Sequence, residues 1–461
     1  MFSGMISSNG VDGIPLPQRY FAVFTIALAV SLAVIDGAIA NIALPSIARD
    51  LHASPSASIW VINAYQLVAT ICLLPFASLG EIVGYRRVYI CGLVMFTLAS
   101  LACALSGSLL MLTLARVLQG LGAAGIMSVN SALTRFVYPR GMLGRGMGIN
   151  ALVAATSAAI GPTVAAGLLA IGPWPWLFAI NVPLGVLAFL AAMRALPATP
   201  RATHRFDTAS AGLNAVMMAS LIFSLEGLAH GEQPVLIAAE FAAAVLAGFL
   251  LVQRQLTRPA PLLPIDLLRI PLFRLSIITS VCSFMAQMLA FTALPFYIEG
   301  ALGRTAVQTG LLMTPWPLAT VIAAPIAGRL ADRYSAGLLG GIGLGVFAVG
   351  LALLAALPVH AMPTDIVWRM AVCGTGFGLF QSPNNRAIIA SAPPRRAGGA
   401  SGSLGTARLL GQTVGATLVA LVFNAFAVHG TIICLIAAAC VAAAAATVSS
   451  LRVFLRPAAA E

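Results

Sequence analysis

YFAVFTIALAVSLAVIDGAIANI (20–42) is apolar almost throughout and carries a single charge, Asp36. At 1.5 Å per residue a run of this length crosses a hydrocarbon core of about 30 Å. Lipid offers no partner to backbone N–H and C=O groups, so the run must be a helix, which pairs its own. Further runs of the same kind follow between Arg, Pro and Gly breaks, at 57–79, 88–106, 109–134, 146–170, 174–193, 208–228 and 235–252. They continue at 275–297, 306–328, 337–357, 366–390, 398–424 and 431–451. The expected fold class is an all-α polytopic membrane protein with fourteen transmembrane helices. Of the 461 residues 60% are hydrophobic and 8% charged, against about 25% charged in a soluble domain.

The net charge of +12 comes from 25 basic residues, every one an arginine. With the N-terminus placed in the cytoplasm, Arg49 and Arg304 fall in external loops and Arg116, Arg369 and Arg408 within spans. All the other arginines fall in cytoplasmic breaks. This is a positive-inside pattern, which places both termini in the cytoplasm and the chain in the cell (inner or plasma) membrane as a multi-pass protein. It also turns the basic charge away from a nucleic-acid reading. Trp60, Trp174, Trp176 and Trp368 are expected near the external interface.

The lack of lysine excludes a P-loop ATPase and Schiff-base chemistry. Breaks of about 20 residues leave no room for a catalytic domain. The seven cysteines lie in apolar runs without C-x-x-C, and the five histidines form no H-x-x-x-H pair. The chain is therefore expected not to be an enzyme and to hold no cofactor or metal. Residues 1–19 read as a polar leader without a cleavage site. The expected partners are a small-molecule substrate, protons and the lipid bilayer, with no nucleic acid. The fold needs no second subunit, so a monomer is expected.

The long breaks 194–207 and 253–274 bracket the runs 208–228 and 235–252. They divide the chain into an N-terminal six-helix bundle (1–196), a linker with two extra transmembrane helices (197–271) and a C-terminal six-helix bundle (272–461). A repeat supports the two bundles. ASLGEIVGYRR (77–87) follows the second run and GRLADRYSAG (328–337) follows the tenth. In each a small residue precedes a carboxylate by four, with arginine after it: Ala77 and Glu81, Gly328 and Asp332. Duplicated halves with a site between them are the plan of a secondary transporter.

An ionisable group at membrane depth costs about 2.5–3.5 kcal/mol on insertion scales. Asp36 and Arg116 are expected at equal depth, roughly 10 Å below the outer surface, which allows an ion pair. Two readings stand: a site for a proton or a cationic substrate, and a fixed pair locking two helices. Glu240 and Glu226 are placed near the external side, where Glu226 is expected to snorkel and Glu240 is open between snorkelling and function. Asn41, Asn63, Gln66, Gln119, Asn130, Asn181, Gln287, Gln381, Asn384 and Gln412 each either bridge helices or meet substrate. Gly161-Pro162, in ALVAATSAAIGPTVAAG (151–167), is expected to bend its helix.

These segments resemble the major facilitator superfamily, and within it the fourteen-helix drug:proton antiporter branch. IDGAIANIALP (35–45) resembles that branch's first-span signature, an Asp followed by an Asn-x-x-x-Pro ending, through Asp36, Asn41 and Pro45. LARVLQGLGAAG (114–125) is similar to the Arg-x-x-Gln-Gly motif through Arg116, Gln119, Gly120 and Gly122, and the resemblance implies that Arg116 takes part in proton coupling. The repeated loop resembles the superfamily's inter-helix gate. That implies gating roles for Glu81, Gly84, Arg86, Arg87, Gly328, Asp332 and Arg333, although Ala77, Glu81, Ile82 and Tyr85 depart from the pattern. Gly161 and Pro162 match the antiporter motif, with Ala165-Ala166 where it has Gly-Gly. WLFAINVPLG (176–185) is also similar to a segment of this branch.

The resemblance implies two bundles rocking about a central cavity. It also implies export of small toxic compounds, with lipophilic cations best suited to cavity carboxylates, in exchange for protons. Export of an endogenous metabolite or siderophore, and uptake by symport, are the alternatives.

Overall fold

Each apolar run becomes a helix, because a backbone in lipid has no other way to pair its polar groups. The computed structural model describes residues 13–139, 142–199, 201, 206–230, 232–256, 265–331, 333–358, 361–392, 397–426 and 429–454. Asp332, Arg140, Arg205, Arg258, Arg395, Arg396 and Arg456 lie outside the described residues, as do the side chains of Arg145 and Glu226.

The helices are α1 (Gln18–Asp50), α2 (Trp60–Val83), α3 (Tyr85–Ala104), α4 (Leu109–Val137), α5 (Leu143–Ile171), α6 (Asn181–Ala195) and α7 (Thr208–His230). They continue as α8 (Pro234–Leu256), α9 (Pro271–Phe296), α10 (Pro315–Leu330), α11 (Ala336–Ala355), α12 (Pro363–Ser391), α13 (Ala397–Ala425) and α14 (Gly430–Leu451). Among the described residues thirteen helices are long and apolar enough to cross a membrane, α6 and α10 being counted together with the short helices Trp176–Ala179 and Ala306–Met313 that precede them. The exception is α12, which has the length, at 29 residues, but is diluted by Arg369, Gln381, Asn384, Asn385 and Arg386. α1 does not end at residue 42 with the apolar run. It continues to Asp50 with Pro45 inside it, since a proline removes one N–H without ending a helix whose neighbours hold it. The face that carries the first and last helix ends is called here the terminal face, and the opposite one the distal face.

Packing follows one scheme twice. α1 packs on α5 and α6, α2 on α4, and α3 on α4 and α6; α9 packs on α13 and α14, α10 on α12, and α11 on α12 and α14. The contacts between the halves obey the same relation: α1 meets α9, α2 meets α13, and α5 meets α10.

Glycines set the closest crossings at matching places. Gly122 of α4 lies so near α3 that a Cβ would strike the backbone N of Phe96, and Gly376 of α12 would strike that of Phe347 on α11. Gly120 faces the Tyr65 carbonyl, and Gly374 faces that of Trp316. Small residues let backbones approach where lipid supplies no hydrophobic drive. A Cβ here meets backbone rather than a mobile side-chain tip, so Gly376→Leu should cost about 1–3 kcal/mol or more. Gly345→Ala, where a Cβ meets nothing within 4 Å, should be neutral or slightly stabilising. Melting temperatures in detergent check both; equal effects would undo the argument.

The two extra helices form a hairpin. α7 lies over the seam of α2 and α13, with Leu67, Met218 and Ile222 in a small core and the Asn214 amide donating to the Ile71 carbonyl at 2.9 Å. α8 packs on α7 and turns Val235, Phe241, Val245, Leu246 and Phe249 outward, as lipid-facing residues do. Cys91 and Cys440 are likewise exposed rather than in the core. Trp174 is buried in a bundle, whereas Trp176 and Trp368 are exposed.

At the foot of the hairpin Arg254 bonds Asp207 at 3.0 Å. Burial pushes the Asp207 carboxyl up, but hydrogen bonds from Ser210 and Arg254 outweigh this and hold it at about 2. A depressed pKa gives stability that is full above the unfolded value of about 3.9 and is lost as pH falls through about 2. The clamp is therefore constant from pH 5 to 8. Asp207→Asn should leave the shape of a transport pH profile over that range unchanged, and a moved midpoint would contradict this.

Candidate functional site

The buried charges of the N-terminal half meet at one point. Arg116 Nη1 donates to Asp36 Oδ2 at 2.5 Å, and each residue is 1% exposed. Arg116 and Gln119 stand three apart on α4 and so share a face. Gln119 completes the cluster, accepting from Arg116 Nη1 at 2.6 Å and donating through Nε2 to Asp36 Oδ1 at 2.9 Å and Ser100 Oγ at 2.8 Å. Asn181, at the start of α6, donates to Asp36 Oδ1 at 2.8 Å. Arg116 Nε donates to the Val61 carbonyl at 2.8 Å. Its guanidinium lies 4.2 Å from the Tyr65 ring centroid and 5.6 Å from that of Phe178. A buried ion pair survives desolvation only when its remaining donors and acceptors are satisfied, and α1, α2, α3, α4 and α6 each supply a partner.

Asn41, five residues beyond Asp36, faces the other half. Its amide donates to the Gly37 carbonyl at 2.9 Å, and its Oδ1 accepts from Thr292 of α9 at 3.1 Å. A Cβ at Gly37 would meet no atom within 4 Å, so space opens beside Asp36 on the same helix. Other polar links between the halves are Thr163 with Thr314 at 2.9 Å, Thr70 with Thr413 at 3.3 Å, and Arg49 with Glu299 at 3.0 Å. Arg49 and Glu299 stand at the distal face, at the ends of α1 and of the helical turn that prolongs α9.

The remaining candidates do not join this cluster. Glu240 sits on α8, which packs on α7 away from both bundles, and its Oε2 is buried without a hydrogen bond. Gly161 brings α5 against Ala38 of α1, and the carbonyl of Pro162 faces Gly310 of the C-terminal half. This pair therefore lies where the two halves meet, and α5 remains one helix through it.

The loop motif sits at the terminal face. Gly84, with φ +102°, makes the one-residue corner between α2 and α3, a conformation that suits only glycine well. Tyr85 N–H donates to Thr199 Oγ1 at 2.9 Å and Arg86 Nη2 to the Met193 carbonyl at 2.5 Å, so the corner is tied to the end of α6. Glu81 and Arg87 are exposed. In the second copy Gly328 lies beside Ser382 of α12 and Arg333 is exposed.

Sequence reasoning missed the roles of Ser100, Tyr65 and Phe178, and it treated Asn181 as one of many membrane polar residues. A polar or aromatic residue on another helix carries no local sign that it points at Asp36.

A membrane fold of two equivalent halves with a buried charge cluster beside their junction defines a transporter rather than an enzyme. The family model of the Major Facilitator Superfamily matches residues 26–416, and the chain belongs to that family. It is 60% identical to the uncharacterized transporter YebQ of Escherichia coli (strain K12), over 96% of this chain and 97% of that one. It is 29% identical to the riboflavin transporter RibZ of Clostridioides difficile (strain 630), over 87% of each. It is 30% identical to the multidrug resistance protein Stp of Mycobacterium tuberculosis (strain CDC 1551 / Oshkosh), over 83% of this chain and 71% of that one. A solved POT family transporter in complex with a thioalcohol-conjugated peptide superposes with a TM-score of 0.72 at 14% identity, over 94% of this chain and 95% of that one.

Proposed function

We propose that this chain exports small, toxic organic compounds across the plasma membrane in exchange for protons, with the terminal face in the cytoplasm. One observation carries the reading: Asp36, buried in its pair with Arg116 of α4, stands on α1, the helix that also holds the other half through Asn41 and Thr292. Asp36 can trade its charge for a proton only by loosening Arg116, and any shift of α1 that does so also strains its contact with α9. A proton and a conformation are thereby linked. A ligand biases such an equilibrium only through its different affinity for the two states. The arginine-rich breaks support the orientation, and the relative named as a multidrug resistance protein supports export. With the distal face outside, the polar links near it support a state shut to the outside.

Inside-out vesicles with a respiration-acidified interior test the exchange. A substrate added outside should dissipate the pH gradient with wild-type protein and leave it intact with Asp36→Asn, at equal protein in the membrane. Full dissipation by Asp36→Asn would end the proton role of Asp36.

The charge of the substrate needs a different basis from cavity carboxylates. Asp36 is neutralised by Arg116, and Glu240 stands apart on the hairpin.

A further inference from the structure

Arg408 lies eleven residues into α13, about 16 Å along the helix at 1.5 Å per residue, well inside the membrane. Its neighbours on α13 fix where it points. Gly405 and Thr413 face α2, through Leu73 and Thr70, while Gly411 and Gly415 face α9, through Phe284 and Met285. With 100° between successive residues, Arg408 and Gln412 fall between these two faces, toward the gap between α2 of one half and α9 of the other.

Among the described residues nothing neutralises that arginine. It forms no hydrogen bond or ion pair with the described residues, and its Nε is buried without a partner. Its guanidinium lies 5.8 Å from the ring centroid of Phe284. Across the gap Tyr65 of α2 lies within electrostatic reach, but its hydroxyl donates to the Ala33 carbonyl. Asp36, Glu299 and Asp207 are already held by Arg116, Arg49 and Arg254. Two amides complete the surroundings. Gln66 is 6% exposed with its Oε1 buried and unpartnered, while its Nε2 reaches only the sulfur of Met288 at 3.8 Å; Gln412 is half-buried.

A lone cation at membrane depth is costly, and such groups mark substrate or ion paths. We propose that the gap between α2, α9 and α13 takes an amphipathic organic anion, a carboxylate, sulfonate or phosphate on an apolar or aromatic body. Its charge pairs with Arg408, and its body lies against Phe284 and Met288. Arginine's planar fork suits such oxyanions, and Gln66 Oε1 accepts from polar substituents while the Gln412 amide accepts from or donates to them. The anion is the substrate in solution rather than a membrane lipid. This rests on the transporter reading above and reverses the substrate charge expected from the sequence.

Binding to purified protein in detergent tests it without transport. Fluorescence anisotropy would follow 5-carboxyfluorescein as the anion and rhodamine 6G as the cation. Wild-type protein should bind 5-carboxyfluorescein, Arg408→Gln should weaken it at least tenfold, and Arg408→Lys should keep part of it. Rhodamine 6G should bind no worse to Arg408→Gln than to wild type. Arg408 leaves no partner behind, so a melting temperature near that of wild type is expected for the variant. Naphthoate should displace the dye and phosphatidylglycerol should not. Failure of wild-type protein to bind the anion, retention of anion binding by Arg408→Gln, or displacement by phosphatidylglycerol alone would overturn the proposal. Asp36→Asn separates it from the exchange reading: anion binding that needs Arg408, with proton exchange indifferent to Asp36, would leave this site standing and remove that mechanism.

Discussion

Arg116→Met should destabilise the folded protein by about 3–5 kcal/mol, because it strands the buried Asp36 carboxylate without its counter-charge. The loss would not come from the shape of the new side chain. The matching place in the other half is Met370, six residues before Gly376 as Arg116 is before Gly122, and Met370 is fully buried. Around it Cys373 and Leu351 stand in the core where the first half has the polar Gln119 and Ser100. The same crossing is therefore built once with charges and once without. Asp36→Asn combined with Arg116→Met should recover most of the stability, since no uncompensated charge remains, while proton-coupled transport stays lost. The coupling energy from the double-mutant cycle reads this directly. A double variant as unstable as Arg116→Met alone would show that the cost lies in packing and not in charge.

Arg49→Glu should open the distal mouth. In the native protein Glu299 is 2% exposed at its side chain and its Oε1 has no hydrogen bond among the described residues, so the 3.0 Å contact with Arg49 is what holds this carboxylate. Arg49 itself is 66% exposed, and an exposed pair alone is worth at most about 1 kcal/mol. Reversal does more than delete the pair. It sets two carboxylates against each other across the junction of the halves, an effect expected to reach about 1.4 kcal/mol, or tenfold in population. Thr292→Cys, placed in the α1–α9 contact, should then react with a membrane-impermeant maleimide roughly tenfold faster, against the native cysteines as background. Arg49→Glu with Glu299→Arg should restore slow labelling. Unchanged labelling in Arg49→Glu would mean that the link does not hold the halves together.

The spans and the pairing of Asp36 with Arg116 were legible in the sequence for physical reasons. Crossing lipid imposes a length and an apolar composition on every helix, and a charge at that depth is rare enough to stand out. The spacing of Arg116 and Gln119 could be read because helical periodicity alone brings them to one face. The expected equal depth of Asp36 and Arg116 was reached through a first helix thought to end near residue 42. The helix runs to Asp50, so Asp36 stands fourteen residues before the distal end of α1 and Arg116 seven after that of α4, and the pair forms although these distances differ.

The repeat was visible only at the loops, where Ala77 and Glu81 answer Gly328 and Asp332. It extends through the bundles: Tyr65 answers Trp316, Gly92 and Phe96 answer Gly343 and Phe347, and Gly120 and Gly122 answer Gly374 and Gly376. Asn41 and Thr292, 251 residues apart, stand in the same register as the pairs on α2 and α3, and they bond to each other. Side-chain chemistry diverged between the halves while the glycines at the crossings did not, because a crossing leaves no room for a Cβ whatever lines the rest of the helix.

By itself, then, the sequence determined the solvent of this protein, its helices, its duplicated plan and the charges that must find partners, since each follows from the cost of exposing polar groups to lipid. Only the tertiary structure decided which charges are satisfied. Arg116 is enclosed by partners from several helices, Glu240 is carried away on the hairpin, and Arg408 has no carboxylate partner among the described residues. Those outcomes depend on how helices distant in the chain rotate and cross, and a linear order of residues does not encode which face of one helix meets which face of another.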